Sequence, residues 1–142
     1  MQKQNLKNHG KWVVGYHLVT FSAILILIVG SMRGYLKSSD DNLYSASLLV
    51  LISFILLLMF YFVRSFALKA QDRAIRAEEK LRYFILTGKA LSNFVTTRQI
   101  VGLRFASDEE FPALVDKTEK ENLSEKEIKV LIKNWKEDLY RA

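Results

Sequence analysis

The chain of 142 residues has no cysteine, one proline, two histidines and six glycines. Without cysteine there is no disulfide framework, thiolate zinc site, iron–sulfur cluster or thiol nucleophile. The two histidines, His9 and His17, are too few for a histidine-rich metal site. So little proline and glycine argues against a loop-rich or all-β chain. The P-loop, the dinucleotide glycine fingerprint, the HExxH helix and the nucleophile elbow are all missing. A non-enzymatic protein with no cofactor and no metal is therefore expected. Charge is also missing locally. No Asp, Glu, Lys or Arg occurs from Trp12 to Met32, nor from Leu43 to Val63.

These two uncharged blocks, WVVGYHLVTFSAILILIVGSM and LYSASLLVLISFILLLMFYFV, hold 21 residues each. At about 1.5 Å of rise per residue each would span roughly 31 Å, the thickness of a bilayer core. In lipid a helix satisfies its own backbone, and the remaining residues are too few to wrap two helices that are apolar all round. Transmembrane helices are expected at 12–32 and 43–63, joined by a loop at 33–42. Trp12, Tyr16, Tyr35, Tyr44 and Tyr61 fall at the ends of the blocks, where amphipathic rings settle at headgroup level. The first block is longer than a usual signal-peptide apolar region and no small-residue cleavage site follows, so an uncleaved anchor is expected.

Charge sets the expected orientation. The segment 1–11 carries Lys3, Lys7 and Lys11, and the stretch after the second block carries Arg64, Lys69, Arg73, Arg76, Lys80 and Arg82. Short basic segments stay on the cytoplasmic side, which puts both termini there and the loop outside. Lys3, Lys7, Lys11, Arg64, Lys69 and Arg73 form a candidate lipid-facing basic flank.

From residue 64 onward the chain is polar. No Pro or Gly occurs between Leu43 and Thr87, and Gly88 follows, so the second span is expected to run on as one helix of 45 residues, about 68 Å long, with 64–88 as its cytoplasmic extension. Phe60, Val63, Ala67, Ala70, Ala74, Ala77, Leu81 and Phe84 alternate at spacings of three and four, the pattern of a helix–helix seam. Ala67, Ala70, Ala74, Ala77, Leu81 and Phe84 are the candidate contact residues, covered either by the chain's own later helices or by another chain. Asp72–Arg76 and Glu78–Arg82 have i,i+4 spacing for ion pairs. Residues 89–95 read as a short linker opening the module 89–142.

Three capping boxes then appear in succession, at Thr96–Gln99, Ser107–Glu110 and Ser124–Glu127, each predicting a helix. Pro112 sits one residue late for the second, and Asn122 is a stop. In the third, Ile128, Leu131, Ile132, Trp135 and Leu139 form an apolar stripe that predicts one helix through residue 139. The expected fold is an all-α membrane protein: a two-helix transmembrane hairpin, a long cytoplasmic helix, and a bundle of about three helices.

Other chemistry is weakly indicated. Asp108, Glu109 and Glu110 splay around a helix and suit its N-terminus rather than a metal ion. His17 reads as a neutral histidine near the interface. The bases of 96–142 are matched by ten acids, which does not suit a phosphate groove, so no nucleic-acid partner is expected.

The segments FALKAQDRAIRAEEKLRYFILTGK, LRFASDEEFPAL and NLSEKEIKVLIKNWK, with QNLKNHGKW and DNLYSASL, resemble those of a bacterial family of small two-span membrane proteins known only as a domain of unknown function. The resemblance covers nearly the whole chain and implies a bacterial source and two spans. It implies no catalytic residue, ligand or partner. The expected function is that of an inner-membrane accessory or scaffold protein whose helical module and Ala-rich seam bind a protein partner or a second copy. The alternative is an anionic-lipid-binding protein that uses the basic flank and the amphipathic last helix at the membrane surface.

Overall fold

The computed structural model describes residues 5, 6, 8, 10 and 12–138. Lys3, Lys7, Lys11, His9 and Leu139 lie outside the described residues. Five α-helices and no strands occur among those described: α1 (Phe21–Leu36), α2 (Leu43–Thr87), α3 (Thr97–Leu103), α4 (Phe111–Glu121) and α5 (Glu125–Leu131). The chain divides into two compact units, one from Trp12 to Ala67 and one that includes Leu68–Ala142.

In the first unit a π-helical segment, Gly15–Thr20, leads directly into α1. Its wider winding leaves room for the Thr20 hydroxyl to donate to the Gly15 carbonyl at 2.9 Å. α1 continues to Leu36, four residues into the expected loop, and a short 3₁₀ turn at Asp40–Asn42 starts the return. The two arms touch through small and aromatic side chains. Ser31 Oγ donates to Ser53 Oγ at 3.4 Å, and Ser53 Oγ donates to the Val50 carbonyl at 2.7 Å, so both buried hydroxyls are satisfied. The Tyr16 hydroxyl donates to the Phe60 carbonyl, and the two rings stack 4.3 Å apart. Gly15–Leu36 and the helix from Asp40 onward are both long and apolar enough to cross a membrane.

α2 has the extent expected from its sequence. Nothing inside it breaks a helix, and Gly88 at φ 69° ends it, its N–H donating to the Phe84 carbonyl at 2.8 Å.

The second unit is built on the distal part of α2. Ile75 and Tyr83 meet Leu103, Phe105, Phe111, Val115, Ile128 and Ile132 in one apolar core. Leu91 and Val95 are also buried in it, so 89–95 packs against the unit rather than acting as a loose linker. α3 and α5 approach closely at Gly102, where a Cβ would lie 3.2 Å from the Glu125 carbonyl oxygen and 3.3 Å from Ile128.

Two of the three expected capping boxes are complete. Gln99 N–H donates to Thr96 Oγ1 at 3.3 Å, and Thr96 N–H to Gln99 Oε1 at 2.8 Å. Ser124 and Glu127 do the same at α5. Asn122 ends α4 in the left-handed conformation, which Asn tolerates. The middle box differs: residues 108–110 form a turn, and α4 starts only at Phe111, with Pro112 in its first turn, where its missing N–H costs nothing. Glu110 reaches the Ser107 N–H at 3.4 Å, but its carboxylate is also engaged by the Lys133 and Asn134 N–H groups at 3.2 and 3.1 Å.

That engagement explains the main departure from expectation. α5 stops at Leu131, and Ile132 is extended, at ψ 121°. Residues 133–136 form a strap along Ala106: Ser107 N–H donates to the Asn134 carbonyl at 3.1 Å, and Lys136 N–H to the Phe105 carbonyl at 2.8 Å. Trp135 therefore reaches Phe105, 4.9 Å between ring centroids, from an extended strap and not from a helix. The apolar stripe is real for Ile128 and Ile132. Leu131 is exposed.

Candidate functional site

The seam residues follow helical geometry on α2. Ala67, Ala70, Ala74, Ala77, Leu81 and Phe84 are all exposed, Leu81 by 60% and Phe84 by 54%. Phe60, at the other end of the expected pattern, is covered by the Tyr16 and Phe21 rings. The chain's own later elements do pack on α2, but on a different face, that of Ile75, Glu79 and Tyr83. With 3.6 residues per turn, that face points roughly 180° away from the line through Ala70, Ala74, Ala77, Leu81 and Phe84. The seam thus lies opposite the side that the unit fills itself, except that Ala74 also borders a cleft with Ile75, Glu78 and Lys136–Asp138.

The packed face carries a charged cluster that the spacing of the sequence did not resolve. Arg82 pairs with Glu79 at 2.9 Å, one helical turn back, instead of with Glu78. Its Nε donates to Asp108 at 2.7 Å, its Nη2 to the Ala106 carbonyl at 2.7 Å, and its guanidinium lies 4.3 Å from the Phe111 ring centroid. Burial pushes the Glu79 carboxyl above its ordinary value, and the Arg82 hydrogen bond and charge pull it partly back. Asp108 is held below the ordinary aspartate value, chiefly by its hydrogen bond from Arg82. Nearby, Arg104 is buried beneath Asp138, 3.1 Å away. Its guanidinium sits 4.6 Å from the Phe105 ring, with the Lys129 ammonium at 5.5 Å. A cleft of about 220 Å³ opens beside these groups, between Glu78 and Glu79 on α2 and Lys136–Asp138. Both signs of charge line it, and they largely satisfy each other. An Arg with acids at several spacings signals such a cluster in a sequence, but only the fold selects the partners.

Of the basic flank, Lys69 and Arg73 are exposed and Arg64 is half-buried. Nine residues separate Arg64 from Arg73, two and a half turns, so Arg64 lies on the face opposite the one that Lys69 and Arg73 share. His17 has local partners: Nδ1 lies 3.2 Å from the Val13 nitrogen and 3.0 Å from its carbonyl oxygen, and the ring stacks 4.5 Å from Trp12.

Together these features define a small all-helical protein that has two helices long and apolar enough to span a membrane, and a polar helical unit with an uncovered helix face. The chain belongs to DUF6526, a family of unknown function whose model matches residues 1–142. No curated protein and no solved structure matches it.

Proposed function

We propose that the protein is a non-enzymatic accessory or scaffold protein of the bacterial cytoplasmic membrane. The hairpin spans the bilayer with both termini in the cytoplasm, and the polar unit presents the seam face of α2 to a protein partner or a second copy. The observation that carries this reading is the seam: four exposed alanines, Leu81 and Phe84 stand on one face while the unit builds its core on the other. Membrane insertion is supported by the state of the apolar helices. Only 6% of each apolar window is buried, whereas the core helix of a water-soluble domain buries most of its apolar surface. The basic residues on both flanks support the orientation. The lipid-surface alternative has less to work with, because Trp135 is packed on Phe105 and α5 has only seven residues.

Purification of the full chain in mild detergent, followed by mass spectrometry, should recover a stoichiometric partner or a homo-oligomer. A monomer that captures nothing would overturn the reading. Reporter fusions at Gly10 and after Ala142 should both report cytoplasm, and an insertion at Ser39 the opposite side. A periplasmic signal from the C-terminal fusion would reverse the orientation.

A further inference from the structure

We infer that the seam face of α2 is covered by a second copy of this chain, with the two α2 helices parallel and in register. This inference rests on the reading above and commits it to one occupant.

The charges beside the seam select the arrangement. Arg73 and Glu78 flank the seam on opposite edges, and both are exposed, Glu78 also lining the cleft opposite Lys136–Asp138 of its own chain. In a parallel, in-register helix pair, a residue on one edge lies beside the residue five positions later on the facing edge of the other helix. Arg73 then meets Glu78 of the second copy, and two-fold symmetry makes this contact twice. The next such position sets Lys80, whose ammonium donates to Asn93 of its own chain at 3.2 Å, beside Ile85 of the second copy, where the lysine stem can cover an apolar side chain that is 72% exposed. No like charges face each other.

An antiparallel pair behaves differently. In the register with the greatest overlap of 67–84, residues on the same edge meet, and Arg73 lies beside Lys80 of the second copy, again twice. Like charges in that position disfavour the pair and act as a specificity element. Membrane insertion selects the same answer independently, because two copies inserted with one topology hold their α2 helices parallel. Alanine at successive layers allows close backbone approach, and Leu81 and Phe84 supply the larger apolar contact at the distal end. The Ile75–Glu79–Tyr83 face stays with its own chain, so the pair forms without unfolding either unit.

The chain has no cysteine, so a single introduced cysteine reports on its own contacts. In membranes of the expressing cell, mild oxidation of the full-length Ala74→Cys and Ala77→Cys variants should each give a disulfide-linked dimer. Arg76→Cys, exposed on another face, should not. Arg73→Glu in the Ala74→Cys background should reduce the linked fraction about fivefold, the scale of two exposed pairs turned repulsive. Adding Glu78→Arg should restore it, which a merely structural role for either residue would not produce. A link formed only between Ala74→Cys and Ala77→Cys chains mixed together would show an antiparallel pair and overturn the inference. If Ala74→Cys links to a different protein and never to itself, the second copy is ruled out while the scaffold reading stands. If it links to nothing, the second copy is ruled out, and recovery of a partner in mild detergent then decides the scaffold reading.

Discussion

Replacing Arg82 with methionine tests whether the polar unit is organised as described. The change keeps an apolar stem and removes the guanidinium. Three hydrogen-bonded contacts disappear, to Glu79, Asp108 and the Ala106 carbonyl, together with the cation–π contact to Phe111. The contact to Asp108 counts for little, because that side chain is 57% exposed and water takes over, leaving about 0–1 kcal/mol. The Ala106 carbonyl belongs to a fully buried residue, and losing its donor there costs about 1–3 kcal/mol. Glu79 matters most. A buried carboxylate stripped of its partner costs about 3–5 kcal/mol, a figure that protonation of this carboxyl limits. These losses share one group and do not add, so the whole effect should be about 3–5 kcal/mol. Trp12→Phe leaves Trp135 as the sole tryptophan, and its fluorescence then reports on the polar unit in full-length protein in detergent. For a unit of this size each kcal/mol moves the midpoint by about 4–8 °C, so Arg82→Met should lower it by at least about 10 °C. Adding Glu79→Gln should recover a substantial part, because the stranded charge is then gone. A shift below about 3 °C, or a double variant no better than the single one, would refute the claim that Arg82, paired with Glu79 on its own helix, ties α2 to the 105–111 segment.

Other perturbations have defined outcomes. Gln99→Leu removes the amide that donates to Asn122 and to the Leu123 carbonyl and also closes the Thr96 box, so the same fluorescence midpoint should fall by an amount equivalent to about 2–3 kcal/mol; a neutral result would mean these bonds are replaced by water. Gly102→Val should cost about 1–3 kcal/mol by forcing α3 and α5 apart, with circular dichroism and the midpoint as readouts, and an unchanged midpoint would contradict the close crossing. In acid, Asp108, whose carboxyl is held low in the folded chain, contributes stability that is present above its unfolded value and lost as pH falls through the folded one, below about pH 4. Glu79 has the opposite sign: the folded chain holds its proton more readily, so its contribution weakens as pH rises from about 4 through its raised folded value. Unfolding midpoints across pH 3–7 should therefore lose the acid slope in Asp108→Asn and the opposing slope in Glu79→Gln. Parallel profiles for all three proteins would disprove the assignment.

Features that depend on near neighbours in sequence were legible before the fold was known. α2 ends at Gly88 because only a residue at ease with positive φ continues there, and the boxes at Thr96 and Ser124 need residues just three positions apart. The two apolar blocks were legible for the same reason. Contacts set by distant chain were not. Nothing in the residues around Trp135 breaks a helix. The helix ends because Phe105 and Ser107 offer backbone partners and Glu110 offers a carboxylate, all more than twenty residues away. The choice between Glu78 and Glu79 for Arg82 likewise depends on where Asp108 and Phe111 come to rest. Periodicity located the seam but could not say which face of α2 the chain would keep for itself. The face left open carries four alanines together with Leu81 and Phe84, and the face the chain keeps carries Ile75 and Tyr83, so side-chain size alone does not select it.

The strap at 133–136 has a consequence for how the protein is made. Its backbone bonds to Phe105 and Ser107 close the polar unit, yet it follows every helix of that unit along the chain. A ribosome adds about 5–20 residues per second, so α2, α3, α4 and α5 all emerge before the piece that locks them. Through that interval Phe105 lacks its tryptophan cover and Glu110 lacks the amides it binds. The unit therefore closes after translation has passed residue 136, and a stalled or prematurely terminated chain presents an open apolar surface to chaperones and proteases.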